Sequence, residues 1–272
     1  MTRPADGAPP PKLAIDCDRG SPAASANALA LSRQLHLPFH CDEADDAARP
    51  ELILHVRENR LELHETGRRA RPLSVDFVQG PTGYRRHSGR GKNQLLGRAV
   101  GLKHGTRHVL DATAGLCRDA FLLACLGCKV TAVERSAAVA ALVFDGLERA
   151  RRAGLKGLGD AVERITLHVG DARAILARTA GGDRPDVIYL DPMYPARKGS
   201  AASGKELRIL RRLVGDDPDA AELFEIARGA ASRRVVVKRH RHAPPLVPSP
   251  DVQYPGRAVR YDAYLTRAGE LA

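Results

Sequence analysis

The stretch Asp191-Pro192-Met193-Tyr194 follows an apolar run and holds groups suited to one kind of chemistry. The exocyclic amino group of a nucleobase is a poor nucleophile, because its lone pair is delocalised into the ring. The carboxylate of Asp191 and the carbonyl of Pro192 could accept both amino hydrogens. The proline ring fixes the φ of Pro192 and so helps to orient that carbonyl. Tyr194 offers a face on which an extruded base can stack. The stretch predicts chemistry at an amino group, and a turn whose proline and tyrosine only pack is the alternative.

Asp191 ends one of five apolar segments that alternate with stretches of helical periodicity. The apolar segments are continuous, as expected for parallel strands that helices cover on both faces. The alternation predicts a doubly wound α/β domain that closes with a hairpin around Pro255 and Gly256. The predicted strands are 107–113, 129–135, 164–171, 186–192 and 233–239, and the predicted helices are 118–127, 136–154, 172–178 and 219–231.

Carboxylates stand at the ends of four of these strands, namely Asp111, Glu134, Asp171 and Asp191. Ligands of such sheets lie outside the carboxyl ends of the strands. The turn after the first of these strands contains a single glycine, Gly115, and lacks the G-x-G-x-x-G arrangement of a pyrophosphate site. S-adenosylmethionine carries no phosphate, and its ammonium, carboxylate and sulfonium suit Asp111, Arg118 and Asp119. The pattern therefore favours this cofactor over a dinucleotide.

Two further acids have candidate roles toward the same cofactor. Glu134 lies 23 residues after Asp111, at the end of the second strand, where a carboxylate can hold both ribose hydroxyls. Asp171, which follows Gly170, could accept a hydrogen bond from the adenine amino group.

Each acid also has a structural alternative. Asp119 lies in the first turn of a predicted helix, where the helix dipole alone favours an acid. Glu134 could pair with Arg135, and Asp171 could cap the helix that follows it. These alternatives stay open at the level of sequence.

The first part of the chain predicts a separate, small α+β domain over residues 12–80. A strand at 12–17, a helix at 25–37 and a hairpin over 51–65 follow from apolar periodicity, and 71–80 predicts a further strand. Residues 1–11 are rich in proline and alanine and predict a disordered lead-in. The methyl-transfer chemistry is expected in a second domain over 81–272.

The charge of the chain favours a polyanionic partner. Lysine and arginine total 43 against 32 acids, a formal net charge of +11. Each phosphate that a basic side chain neutralises releases a condensed counterion. A basic, glycine-containing loop at 83–98 opens the second domain and holds Arg85, Arg86, Arg90 and Lys92.

Membrane, disulfide and metal roles are disfavoured by the composition. No run of about 18 apolar residues occurs, and the start has no apolar signal-peptide core, so the cytoplasm is the expected location. Five cysteines argue against a disulfide framework. The lone C-x-x-C at 125–128 has no second pair to complete a zinc site, and no metal is expected.

Several motifs, in the same order along the chain, closely resemble the RsmJ family. They are DATAGLCRDAF, VERSAAVAALVFDGL, VIYLDPMYP and RVVVKR, together with the basic segment from residue 84. The resemblance implies a class I S-adenosylmethionine-dependent methyltransferase that modifies the N2 amino group of a guanine in small-subunit (16S) ribosomal RNA. It implies a Rossmann-like, mostly parallel seven-stranded sheet with a closing antiparallel hairpin. Whether naked rRNA or an assembled particle is the substrate stays open.

The family's cofactor contacts carry over to Arg118, Asp119, Glu134, Arg135, Gly170, Asp171 and Asp191. This chain departs from the family at Gly170-Asp171, where other members can have two serines, and at Cys117, which replaces a small residue, often glycine. RNA contacts are expected from the basic loop and from residues near the strand ends, namely Arg85, Arg86, Arg90, Lys92, Arg197, Lys198, Lys238 and Arg239. An adenine-N6 or cytosine-N4 methyltransferase and a non-catalytic RNA-binding protein are the alternatives.

Overall fold

The computed structural model describes residues 12–40, 50–68, 71–79, 94–179, 184–193 and 205–266. Several sequence predictions fall outside these ranges. They concern the lead-in 1–11, the basic residues Arg85, Arg86, Arg90, Lys92, Arg197 and Lys198, and the stacking residue Tyr194.

The N-terminal part contains a three-stranded sheet and one helix. Its elements are β1 (Leu13–Cys17), α1 (Pro22–Leu35), β2 (Leu52–Val56) and β3 (Leu61–Glu65). β1 pairs in parallel with β2, and β2 pairs antiparallel with β3. The Ser21 hydroxyl accepts a hydrogen bond from the Ala24 N–H at 3.3 Å, and Pro22 stands in the first turn, so α1 has a capped start. The predicted strand, helix and hairpin are confirmed.

The strand predicted over 71–80 is wrong in its described part. Only an isolated bridge between Leu63 and Leu73 forms there. Oδ1 of Asp76 accepts hydrogen bonds from the N–H groups of Val78 and Gln79, at 2.8 and 2.9 Å. This local turn takes backbone donors that a ladder would need.

The second sheet has seven strands in the order β6-β5-β4-β7-β8-β10-β9. The five strands from β6 to β8 in this order pair in parallel with one another, and β10 pairs antiparallel with both β8 and β9. β4 and β7 are adjacent, so the chain reverses its direction of winding between them. The strands are β4 (His108–Asp111), β5 (Lys129–Glu134), β6 (Ile165–Val169), β7 (Val187–Leu190), β8 (Arg234–His240), β9 (Val252–Pro255) and β10 (Val259–Leu265). The predicted α/β sheet with its closing hairpin is confirmed.

Helices connect these strands. They are α2 (Leu95–Ala99), α3 (Arg118–Cys125), α4 (Ala137–Arg152), α5 (Leu158–Glu163), α6 (Ala172–Thr179), α7 (Lys205–Val214) and α8 (Ala220–Ala230), with a 3₁₀ turn at Leu102–His104. The short α5 was not predicted, because six residues carry too little periodicity. Among the described residues, no helix has both the length and the apolar character needed to cross a bilayer.

The described chain divides into two compact units. The first comprises residues 1–75, 136–149 and 193–216, and the second comprises 76–135, 150–192 and 217–272. The sequence placed one boundary at residue 81, whereas the first unit also takes in two later segments. All seven strands of the large sheet belong to the second unit.

The core of the second unit explains why its strands read as continuous apolar runs. Leu110, Ile188 and Val235 are at most 1% exposed and come from three neighbouring strands. Phe224 of α8 meets Tyr264 of β10 edge to face, with ring centroids 4.6 Å apart. Each such buried side chain contributes about 1.5–3 kcal/mol, and together they fix the carboxyl ends of the strands relative to one another.

Candidate active site

The loop after β4 is tied to both neighbouring strands. The Ala112 N–H donates to the Tyr189 carbonyl, and the Ala114 N–H donates to the Val133 carbonyl, each at 2.9 Å. Asp111 is 2% exposed, and its Oδ1 accepts from the Thr113 N–H at 3.2 Å. Desolvation raises the pKa of Asp111 well above its ordinary value, and the nearby negative charges act in the same direction. The loop is therefore a fixed platform at the carboxyl edge of the sheet.

Glu134 supports this loop from the end of β5. Its Oε2 accepts a hydrogen bond of 2.8 Å from the Gly115 N–H, and the residue is 6% exposed. Gly115 has φ 52°, a left-handed conformation that glycine adopts without a Cβ penalty. The guanidinium of neighbouring Arg135 contacts the carboxylates of Asp217 and Asp219.

Cys117, the departure from the family in this loop, takes a left-handed conformation with φ 59°. Glycine would meet this requirement at lower cost. The residue is fully buried, and its carbonyl accepts from the Phe121 N–H at 2.9 Å in the first turn of α3. Burial raises the pKa of the Cys117 thiol well above its usual value, so the side chain is a small apolar group rather than a nucleophile.

Asp171 forms a cap and an ion pair after Gly170. Its Oδ1 accepts from the Arg173 backbone N–H at 2.9 Å, and its Oδ2 contacts the Arg173 guanidinium at 2.6 Å. The hydrogen bond from Arg173 holds the pKa of Asp171 below its ordinary value. The helix-capping alternative is thus confirmed. The adenine contact stays a prediction, and the Asp171 side chain remains 49% exposed.

A half-buried lysine joins the two acids nearest the predicted reaction centre. Nζ of Lys238, on β8, lies 2.8 Å from Oδ2 of Asp119 and 2.8 Å from Oδ2 of Asp191. The Tyr189 hydroxyl donates to the same Asp119 oxygen at 2.7 Å. Burial works against the charged form of Lys238, but the two carboxylates outweigh it and raise the pKa of the ammonium above its usual value.

Asp191 and Pro192 stand at the end of β7, as the sequence predicted. The Asp191 N–H donates to Oγ1 of Thr113 at 2.6 Å, which anchors the turn to the loop after β4. The Asp191 side chain is 39% exposed, and Pro192 is buried. Desolvation raises the pKa of Asp191 above its ordinary value, while the Lys238 ammonium lowers it.

The two residues of β8 that were predicted to contact RNA have partners inside the protein. Lys238 pairs with acids of the site, and Arg239, which points to the other face of the strand, is 7% exposed and donates through Nε to the Pro244 carbonyl at 2.8 Å. The RNA contacts predicted for Lys238 and Arg239 stay predictions. Thr113, Tyr189 and Arg173 are site residues that the sequence reasoning missed, because no spacing rule distinguishes them from core or surface residues.

The described residues contain no group of three or more histidines, cysteines or acids that could hold a metal ion.

Comparisons with known proteins identify the family of this chain. A family model described as "Putative SAM-dependent methyltransferase" matches residues 36–266. The Ribosomal RNA small subunit methyltransferase J of Dechloromonas aromatica is 47% identical over 91% of this chain and 98% of its own. The protein of the same name from Coxiella burnetii is 46% identical over 91% of this chain and 95% of its own. The chain belongs to the RsmJ family.

A solved structure extends the RsmJ assignment to the fold. A SAM-dependent methyltransferase from Neisseria gonorrhoeae covers 94% of this chain and 97% of its own, with 32% identity and a TM-score of 0.72. The class I methyltransferase fold and the dependence on S-adenosylmethionine are therefore shared with the RsmJ family.

The strand-end residues fit this cofactor chemically. Asp111, Asp119 and Asp191 come together at the carboxyl edge of the sheet, and carboxyl groups there suit a cationic group better than the pyrophosphate of a dinucleotide. They suit the ammonium and the sulfonium of S-adenosylmethionine. Glu134 accepts from the Gly115 N–H at the end of β5, and its predicted contact with the ribose stays a prediction.

Proposed function

We propose that this protein transfers a methyl group to the exocyclic N2 amino group of a guanine in small-subunit ribosomal RNA. The observation that carries the proposal is the position of Asp191 and Pro192 at the end of β7, beside the cofactor loop after β4. The printed name of the relatives supports ribosomal RNA as the substrate class. The resemblance of the motifs to the RsmJ family supports guanine N2, and the proposed substrate puts the reaction in the cytoplasm.

The acceptors at this turn would prepare the amino group. The Asp191 carboxylate and the Pro192 carbonyl would each accept one amino hydrogen, which draws the nitrogen lone pair out of the plane of the ring. S-adenosylmethionine, when bound, supplies a methyl carbon that accepts this pair as the carbon–sulfur bond breaks and its electrons stay on sulfur. No strong base is needed, since the methylated nitrogen releases its extra proton to solvent.

Residues around the turn have supporting roles in the proposal. Tyr194 would stack on the flipped guanine, and Arg197 and Lys198 would meet the adjoining phosphates. The basic residues Arg85, Arg86, Arg90 and Lys92 would bind the RNA backbone. The net charge of +11 supports a polyanionic substrate.

The test is the identity of the methylated nucleoside. Ribosomal RNA from a deletion strain should lack one N2-methylguanine by nucleoside mass spectrometry, and the purified protein should restore it. Loss of N6-methyladenine or N4-methylcytosine with N2-methylguanine intact would overturn the guanine assignment, because the same acceptors serve those amino groups. Parallel reactions with naked rRNA, isolated subunits and whole ribosomes would identify the form of the substrate.

A second class of function, RNA binding without catalysis, makes a different prediction. Such a protein would bind rRNA but would bind no S-adenosylmethionine at millimolar concentration in calorimetry. The loop after β4, with Gly115 held by Glu134, supports the enzyme instead.

A further inference from the structure

Lys238 is not one of the hydrogen-bond acceptors in the proposed reaction, yet it contacts Asp191, the acid on which that reaction depends. Its ammonium lies between Asp119 and Asp191, at 2.8 Å from one oxygen of each. The side chain is only 22% exposed, so few of its contacts go to solvent. A lysine that binds RNA phosphates needs an exposed ammonium, whereas the carboxylates of Asp119 and Asp191 already neutralise the ammonium of Lys238.

The two acids need this cation. Both oxygens contact one nitrogen atom, so the carboxylates are close enough to repel each other. When two carboxylates share a site, the pKa of one of them rises strongly, so its protonated form becomes more populated. A protonated Asp191 is a weaker acceptor and would leave the lone pair of an amino group in the ring.

We propose that Lys238 is a positioning residue, which keeps Asp191 ionised and aims its carboxylate at the target amino group. The inference rests on the proposed amino-group methylation. Nζ of Lys238 fixes Oδ2 of Asp191, and the Thr113 hydroxyl fixes the Asp191 backbone. The other oxygen of Asp191 is then the one directed to the substrate.

Other charged and titratable groups near Asp191 and Lys238 also affect the protonation of Asp191. They are Asp111 on β4, Asp119 on α3, Tyr189 on β7, Asp217 before α8, and Tyr261 on β10 near the lysine. Burial contributes most to the raised pKa of Asp191, Asp119 and Asp217 raise it further, and Lys238 lowers it. Removing the lysine therefore shifts the balance toward a protonated Asp191.

The test compares Lys238→Met with Lys238→Arg in full-length enzyme, using the rRNA substrate at saturation. With methionine, kcat at pH 7 should fall at least tenfold. The acidic limb of the kcat profile should move about one to three pH units upward, so that activity partly recovers at high pH. KM for RNA and the cofactor Kd from calorimetry should change less than about threefold. Arginine, which keeps the charge, should restore the position of the limb.

Three results would overturn this role. An unchanged acidic limb with lower kcat at every pH would indicate a structural effect only. A raised KM for RNA with a flatter salt dependence and normal kcat would assign Lys238 to phosphate binding. A cofactor Kd weakened more than tenfold with normal kcat would assign it to the cofactor. If Lys238→Met does not fold, Lys238→Gln provides the same comparison. Failure of the wild-type enzyme to methylate rRNA would instead contradict the proposed function.

A second inference comes from an exposed cleft at the edge of the large sheet. The cleft has a volume of about 470 Å³ and is lined by Arg98, Gly101, Lys103, His104 and Tyr254. The Arg98 guanidinium lies 5.6 Å from the centroid of the Tyr254 ring. Among the described residues, neither Arg98 nor Lys103 forms an ion pair, and no acid lines the cleft.

Gly101, which lines the cleft, packs closely against the guanidinium of Arg234. Gly101 has φ 77°, and a Cβ there would lie 3.0 Å from Cζ of Arg234, whose Nη1 donates to the Ala99 carbonyl at 3.3 Å. Arg234 begins β8, and Lys238 lies four residues further, or about 13 Å along the strand. The cleft is thus separate from the carboxyl-edge site.

The geometry points to a second RNA contact, in which this cleft binds a phosphodiester segment outside the target nucleotide and Tyr254 stacks a base. Exposed cations beside an aromatic ring are the combination that binds single-stranded RNA. This inference too rests on rRNA as the substrate.

The test uses two double variants. The first combines Arg98→Glu and Lys103→Glu in the cleft, and the charge-matched control combines Arg178→Glu and Arg228→Glu at exposed helix positions. Affinity for a long rRNA transcript should fall at least tenfold, with a salt slope smaller by about one to two. Affinity for a short hairpin with only the target stem should stay within about twofold. Lys103→Ala serves as a milder variant if the double variant is unstable.

Equal losses on both RNAs, or losses no greater than those of the control, would overturn the cleft as an RNA site. A loss seen with assembled subunits but not with naked transcript would assign the cleft to a ribosomal protein and also overturn it. If wild-type protein bound neither RNA, the proposed function itself would fail.

Discussion

The backbone N–H of Gly115 donates a hydrogen bond of 2.8 Å to Oε2 of Glu134, across two neighbouring strands. This hydrogen bond holds the loop after β4 in its left-handed turn. The pairing explains how a single glycine supports that loop.

Replacing Glu134 should weaken the cofactor more than the fold. Glu134→Gln keeps an acceptor for the Gly115 N–H but loses the charge, and Glu134→Ala loses both. A hydrogen bond to a charged group contributes about 1.5–3 kcal/mol, so Kd for S-adenosylmethionine in calorimetry should rise about tenfold to a hundredfold, with alanine the weaker binder. Glu225→Gln, at an exposed position of α8, is the control. An unchanged Kd in Glu134→Ala would contradict the ribose contact.

Replacing Asp191 by alanine should abolish transfer and leave RNA binding nearly intact. The carboxylate is the acceptor that prepares the amino group, and such groups account for about 10²–10³ in rate. Single-turnover methylation should therefore fall at least a hundredfold, while the Kd for rRNA by fluorescence anisotropy stays within about threefold. Asp160→Asn, an exposed change on α5, should match wild type in both measurements. Transfer at the wild-type rate in Asp191→Ala would refute the role of this acid.

Asp186 ties the start of β7 to the start of β4 and makes stability depend on pH. Its Oδ2 accepts from the backbone N–H groups of Arg107 and His108 at 2.7 and 3.0 Å. Burial opposes the charge, but these hydrogen bonds and Arg233 hold the pKa of Asp186 below its ordinary value. Asp186→Asn should lower the free energy of unfolding by about 1–2 kcal/mol at pH 7.

The sign of the pH effect follows from the lowered pKa. The stabilisation is fully present above the unfolded pKa of about 3.9 and is lost as the pH falls through the lower folded value. In urea denaturation at a series of pH values, the difference between wild type and Asp186→Asn should therefore shrink as the pH falls below the unfolded pKa. A difference that stayed constant through this fall would show that the charge of Asp186 contributes nothing.

The basic loop should control RNA affinity through its charge. Arg85→Glu with Arg86→Glu should weaken binding to rRNA and reduce the slope of log K against log salt by about two, since each phosphate contact contributes about one. Filter binding between 50 and 200 mM salt measures the slope. The control is Arg178→Glu with Arg228→Glu, which makes the same charge change. Equal slopes in the two double variants would show that only net charge matters.

Much of the fold followed from local pattern. Continuous apolar runs such as 187–190 must be buried on both faces, and their alternation with helical segments leaves few arrangements besides a parallel sheet with crossover helices. The strand predicted at 71–80 was wrong, because a turn around Asp76 competes with the ladder, and such competition depends on the surroundings.

The site divides in the same way. The sequence by itself determined which residue types end the strands, and so it predicted Asp111, Glu134 and Asp191 at one edge. Only the tertiary structure decided what those acids contact. In the sequence, Lys238 was one more basic residue at a strand end. In the structure, β8 lies beside β7, and the pleat of β8 directs the Lys238 ammonium toward Asp191 and Asp119. A charge far along the chain acquires its partner only through packing, since the partner comes from another strand of the sheet, and a desolvated charge without a partner is costly.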